Sequence, residues 1–382
     1  MVRERDTDHF LVISNAARQE NPRGVFCERE RRASMGKQRR NRLVIFFMAL
    51  AVLIFGVLCL FVGVSNLSLG ECLSALVKKG NPSAVRILWN IRIPRVWAAI
   101  IAGAGLAVSG LVMQTALNNP MASPSTLGVS NAAVFGANLS IIAFAGGFLS
   151  TGNNVNNFSV GANPFATSLM AFLFSTASIL LILGLCTVRS FSPNVVVLAG
   201  MAIGSLWTAA TTILQFYATD VGIAAAVVWN FGDLGRATYR TDWIMLAVVT
   251  VGILFFLLVS WQLNALLSGE ATAKTMGVPV ELLRFVCLLL ASVMTAVCVS
   301  FLGVIGFVGI ICPHTVKKLL GQDHRLTIPA SALAGSLLLL LADTVSRSMG
   351  GGSALPVGAI TSMLGAPFFL AIIFSEKGKS KC

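Results

Sequence analysis

Few side chains in this 382-residue chain can do chemistry, and their positions limit which chemistry is open. Arg92, Arg95 and Arg347 are cations beside apolar runs, where planar guanidinium donors suit carboxylates. Glu270, Lys274 and Arg284 are charges of the longest polar interruption in the second half, Leu263 to Phe285. His314 follows Pro313, and Asp343 is the exceptional ionisable group among the apolar runs, near the end of one. These groups suit ion pairing and docking rather than bond making.

Catalytic readings fail one by one. A phosphate-cradling loop needs Gly-x-x-x-x-Gly-Lys-Ser/Thr after a strand. Gly378-Lys379-Ser380 has Ile373 where the first glycine belongs, and Ala273-Lys274-Thr275 lacks both glycines, so the chain should not hydrolyse ATP itself. His314 has no neighbouring carboxylates, so we read it as a helix-end residue rather than an iron ligand. The eight cysteines have no Cys-x-x-Cys spacing and read as small packing residues. No metal site, cofactor or catalytic constellation is expected.

The elements that must position the charges are membrane helices. Hydrophobic residues make up 56% of the chain and charged residues 11%, with a mean hydropathy of +0.82, whereas soluble domains are usually about 25% charged. Apolar runs long enough to cross roughly 30 Å of hydrocarbon recur after residue 42, and their continuity excludes a β-barrel. The expected fold is an all-α polytopic membrane protein with about ten transmembrane helices. The spans are expected at about 43–64, 96–117, 127–148, 166–187, 195–216, 243–261, 285–301, 304–320, 326–345 and 356–374. Residues 1–42 read as a basic, disordered cytoplasmic tail, 43–374 as the ten-span transmembrane domain, and 375–382 as a second basic tail. Met35, before the cluster Arg39, Arg40 and Arg42, is a candidate start.

Charge orients this topology. Arginines 39, 40 and 42 place the N-terminus in the cytoplasm, after which twenty Lys/Arg fall inside and eight outside, with both termini cytoplasmic. Eight external cations exceed the usual bias, and an acidic partner is one explanation. The net charge of +13 sits largely in the tail and loops, which argues against nucleic acid.

Three stretches resemble one family. Residues 91–130 carry Ile-Arg-Ile-Pro-Arg, Gly-Ala-Gly-Leu-Ala-Val-Ser-Gly and Asn-Pro-Met-Ala-Ser-Pro; residues 303–314 read Gly-Val-Ile-Gly-Phe-Val-Gly-Ile-Ile-Cys-Pro-His; residues 338–368 include Ala-Asp-Thr-Val-Ser-Arg and Leu-Pro-Val-Gly-Ala-Ile. Together, over about residues 43–374, they resemble the permeases of ABC importers for ferric siderophores, haem and cobalamin. The resemblance implies a ten-span subunit of the bacterial cytoplasmic membrane that pairs with a second permease, identical or sister. It also implies two cytoplasmic ATPase subunits, which hydrolyse the ATP, and an external substrate-binding protein.

Site residues follow from the same resemblance. The helical run Ser268, Gly269, Glu270, Ala271, Thr272, Ala273, Lys274, Thr275, Met276 and Gly277 corresponds to the segment docking in the ATPase cleft; the plainer reading is a connecting loop. Arg92, Arg95 and Arg347 match arginines that pair with glutamates of the binding protein. Lipid-headgroup anchoring for the first two, and a pair with Asp343 for Arg347, remain open. Ser192, Pro193 and Asn194, with Gly200 and Gly204, fall where the family places a gate and pathway; the glycines equally suit close packing. An ion-gradient-driven secondary transporter is the competing class, but it would need buried carboxylates at mid-membrane that the spans lack.

Overall fold

The computed structural model describes residues 22–63, 68–79, 81–144, 163–188, 192–349 and 354–376. The expected tail segments 1–21 and 377–382, much of the loop 150–164, and Arg189 lie outside the described residues. The chain falls into two units, Met1–Phe47 and Met48–Cys382.

The described residues are helical, joined by short caps. In order the α-helices are α1 (Pro22–Phe61), α2 (Leu69–Leu76), α3 (Pro82–Ile87), α4 (Ile93–Ala116), α5 (Val129–Leu139), α6 (Pro164–Val188), α7 (Pro193–Phe216) and α8 (Asp220–Asn230). They continue with α9 (Tyr239–Leu258), α10 (Ser260–Leu267), α11 (Glu270–Thr275), α12 (Val280–Leu302), α13 (Val308–Leu320), α14 (His324–Met349) and α15 (Val357–Glu376). A π-helical turn, Leu88–Arg92, makes α3 and α4 nearly continuous. Helix starts carry their own caps. Ser68 and Glu71 form a capping box, Asn81 caps a helix opened by Pro82, and Ser192 accepts from Val195 N ahead of Pro193.

Among the described residues, seven helices are long and apolar enough to cross a membrane, and they coincide with expected spans 1, 2, 4, 5, 6, 7 and 9. Span 10 coincides with α15, span 8 appears as the shorter α13, and span 3 is α5 with its π-helical extension to Phe144, the rest of that expected span lying outside the described residues. The piece Val221–Trp229, too short to cross, lies within α8. One boundary differs clearly. α1 begins at Pro22, inside the segment expected to be a disordered tail. Residues 22–42 hold seven Arg and two Glu, good helix formers that a reading weighted by charge passes over.

α4 is the centre of the second unit, with 83% of its span buried against α9, α12, α13 and α14. Glycines allow this. A Cβ on Gly103 would strike the Gly335 backbone of α14, and one on Gly110 would strike Gly309 of α13. α4 therefore reaches from one end of the bundle to the other inside a sleeve of helices, and its two ends carry the charged groups.

Candidate functional site

At the C-terminal end of α4 sits the polar stretch. α11 is one turn and a half of helix held between two left-handed glycines, Gly269 at φ 103° and Gly277 at φ 81°. Its C-terminus closes with Gly277 N donating to Lys274 O (3.0 Å) and Val278 N to Ala273 O (3.1 Å), the paired bonds that stop a helix at a glycine. Ala273 is its buried anchor. Glu270 accepts from Lys274 at 3.0 Å, one turn along, and Lys274 approaches Glu281 of α12 at 3.9 Å. The Lys274 ammonium, with help from Arg284, holds the Glu270 carboxyl below its usual range against the opposing effect of burial.

Arg284 ties this helix to the core. Its guanidinium is buried; Nη2 reaches Glu270 Oε2 at 3.3 Å, and Nε donates to the carbonyl of Ala116 at 2.8 Å. Ala116 is the last residue of α4, where the helix dipole leaves carbonyls seeking a cation. Beside it runs a second link. His324 Nδ1 lies 2.7 Å from Asn264 Oδ1 of α10, and Nε2 lies 2.8 Å from the hydroxyl of Thr115. Because an amide oxygen only accepts, Nδ1 carries the proton, and in the neutral ring Nε2 accepts from Thr115. Asn264 also donates to Asp323 at 2.7 Å. Two adjacent residues ending α4, Thr115 and Ala116, thus receive both elements that flank the turn into α11.

The opposite end holds the three arginines, all buried: Arg92 is 3% exposed, Arg95 8% and Arg347 7%. Arg95 Nε meets Asp343 Oδ1 at 2.7 Å, and Arg347 Nη2 meets Asp343 Oδ2 at 2.9 Å, so one carboxylate joins α4 to α14. Arg95 also reaches the half-exposed Asp233 at 3.5 Å. Arg92 donates to the carbonyls of Leu60 (2.7 Å) and Phe61 (3.3 Å), and Arg347 to those of Cys59 (3.0 Å) and Val62, so both cap the C-terminus of α1. The pair of Arg347 with Asp343 is the plainer reading weighed from sequence. Nothing in sequence suggested that Arg95, 248 residues away, shares the same carboxylate.

The remaining sequence candidates are pieces of packing. Ser192, Pro193 and Asn194 open α7. Gly200 and Gly204 press on Leu127 and Gly128, where added Cβ atoms would stand 2.9 and 3.1 Å from the facing Cα atoms. Asn131 donates to Gly204 O at 3.1 Å across the same contact. Sequence reasoning missed Arg284, Thr115, Asn264 and His324 as linking residues. Arg284 did carry a signal, being the lone cation of a helix that beyond Glu281 in its first turn has no other charge.

The pattern of the FecCD transport family matches residues 50–375. The chain belongs to the FecCD transport family. It is 45% identical over 336 residues to a protein of Methanocaldococcus jannaschii described as an ABC transporter permease, covering 87% of this chain and 95% of that one. It is 33% identical over 341 residues to the vitamin B12 import system permease protein BtuC of Shigella boydii, covering 89% and 98%. Among solved structures, an inward-facing conformation of a protein described as a metal-chelate type ABC transporter superposes with a TM-score of 0.75 at 27% identity, covering 87% of this chain and 99% of that one. The chain is therefore a transport subunit of the ABC permease type and not an enzyme.

Proposed function

We propose that this permease imports a ferric siderophore, or a related metal chelate such as haem or cobalamin, across the cytoplasmic membrane. A separate ATPase drives it and an external binding protein feeds it. The observation that carries the reading is the join from the half-exposed Glu270 through the buried Arg284 to the Ala116 carbonyl. A stiff, glycine-bounded helix tied to the end of the central span is what a force-receiving element needs, since a floppy loop dissipates displacement. α11 with its flanking residues, Ser268 to Gly277, is assigned to the ATPase cleft, and its end of the bundle to the cytoplasm.

The arginine end is assigned to the external face. Arg92, Arg95 and Arg347 already spend their donors on Asp343, Asp233 and backbone carbonyls, so a partner's carboxylate reaches them only by displacing these. We therefore give them two roles, holding the face closed at rest and accepting the binding protein's glutamates when it docks. α7, whose Leu198, Leu206, Ile213 and Phe216 are more than 60% exposed, is the helix we assign to the second permease copy or sister and to the pathway between them. Ser192 to Asn194, at its start, keeps the gate assignment.

The test is uptake by proteoliposomes carrying the chain with its ATPase subunits and binding protein. ATP-dependent accumulation of a ferric siderophore or cobalamin that survives ionophores is the expected result. Uptake that instead collapses with the ion gradient and ignores ATP would establish the secondary-transporter reading.

A further inference from the structure

At the N-terminal ends of α4 and α9 the two helices diverge around a cavity of about 950 Å³. It lies at the end of the bundle opposite α11, since α4 begins at Ile93 and meets Arg284 at Ala116. Its walls are aromatic. Trp97 and Trp243 stand with ring centroids 6.3 Å apart, are 47% and 63% exposed, and sit where spans meet the membrane interface. Tyr239 donates its hydroxyl to the Trp89 carbonyl, which closes one side. The rim carries two exposed cations, Arg86 and Lys78, the latter 4.9 Å over the Trp89 ring.

The wall also contains Asp242, and here the chemistry is unfinished. Asp242 is 3% exposed, and neither of its carboxylate oxygens has a hydrogen-bond partner among the described residues. A carboxylate taken out of water without a partner is costly, and such groups are ordinarily paired or neutralised. The cavity therefore sets an unpartnered carboxyl group in an aromatic wall beneath cations at the mouth. Aromatic walls favour organic cations, and a carboxylate among them adds a charge to pair. Cations at the mouth favour a phosphate.

We infer that this cavity is a binding site for an amine-bearing phospholipid, its ammonium against Asp242 and the aromatic wall and its phosphate at Arg86 and Lys78. The occupant is a membrane lipid rather than a soluble amine because the lining is mostly apolar, with Ile93 and Leu246 continuing it along the spans where acyl chains lie. A phosphatidylglycerol headgroup offers the phosphate but no cation, and so satisfies only the mouth. The inference rests on the helices crossing a membrane and not on what the permease carries.

The full-length chain, equilibrated in vesicles of equal parts phosphatidylethanolamine and phosphatidylglycerol, is purified in mild detergent and its retained lipids are counted by mass spectrometry. Retention of phosphatidylethanolamine at about tenfold preference is expected. D242N should bring the two lipids to parity, whereas R86Q should lower both together. Parity in the unaltered chain, as when a proton rather than an amine neutralises Asp242, overturns the inference; so does a preference undiminished in D242N. If D242N fails to fold, W243L, at an exposed wall position, should lose the preference, and its keeping it overturns the inference equally.

Discussion

Two buried guanidiniums facing one buried carboxylate make Asp343 the residue on which the arginine end depends. Removing one member of a buried ionic set leaves the others uncompensated, typically at about 3–5 kcal/mol, whereas removing charges together costs less. Asp343→Ala should therefore unfold at a clearly lower temperature than the protein, and the double variant Arg95→Met/Asp343→Leu should recover part of that loss. Thermal unfolding of the purified chain in detergent measures both, and equal destabilisation by the two would discard the shared-carboxylate account. Arg284 behaves differently because its partner Glu270 is 44% exposed and keeps Lys274. Arg284→Met should cost about 1–3 kcal/mol, mainly from the orphaned Ala116 carbonyl. Its larger effect should be on coupling, with ATP hydrolysis continuing while uptake falls. Of these residues the sequence made Arg92, Arg95 and Arg347 visible by type and position. It offered the local pair of Arg347 with Asp343, but could not show that Arg95 shares that carboxylate or that Arg92 and Arg347 turn to the end of α1, because such partners follow from packing and not from any local spacing.

The element most readable in advance was the α10–α11–α12 turn, because glycine, proline and a change from apolar to polar residues mark its limits. Gly277 sits at φ 81°, where a Cβ costs roughly 1–2 kcal/mol, so Gly277→Ala should loosen α11 locally. Faster amide exchange confined to residues 270–278, with the spans unaffected, is the expected signature. Acid should act on the same element. The Glu270 carboxyl titrates below its ordinary value of 4.5 in the folded chain, so its contribution is complete above that value and is lost as pH falls through the lowered one. At neutral pH the helix should be at full strength, and Glu270→Gln should remove the acid sensitivity of α11 exchange. Less readable was the start of span 8. Phe307, a non-glycine residue at φ 64°, starts α13 four residues later than the apolar run suggests, and hydropathy alone does not register a backbone turn of that kind. The start of α1 was missed for the converse reason, since charge density says little about helix propensity.

For the whole transport unit, α4 is the part that can connect the two charged ends. Its 24 residues span roughly 36 Å, enough to cross the hydrocarbon, and both termini are gripped by arginines from other elements or its own first turn. A rod held so tightly moves with its neighbours as a body, because packed interfaces shift between discrete arrangements rather than deform smoothly. The contact of Gly103 with Gly335 decides which arrangements are open, as a methyl on either forces α4 and α14 apart. Gly335→Ala should leave Glu270, Arg284 and the arginine end chemically intact and yet impair transport. In proteoliposomes, ATPase association and binding-protein docking should persist while substrate moved per ATP drops severalfold. Were that ratio unchanged, displacement would be passing around α4 through the outer helices, and the join at Ala116 would be an anchor rather than a transmitter.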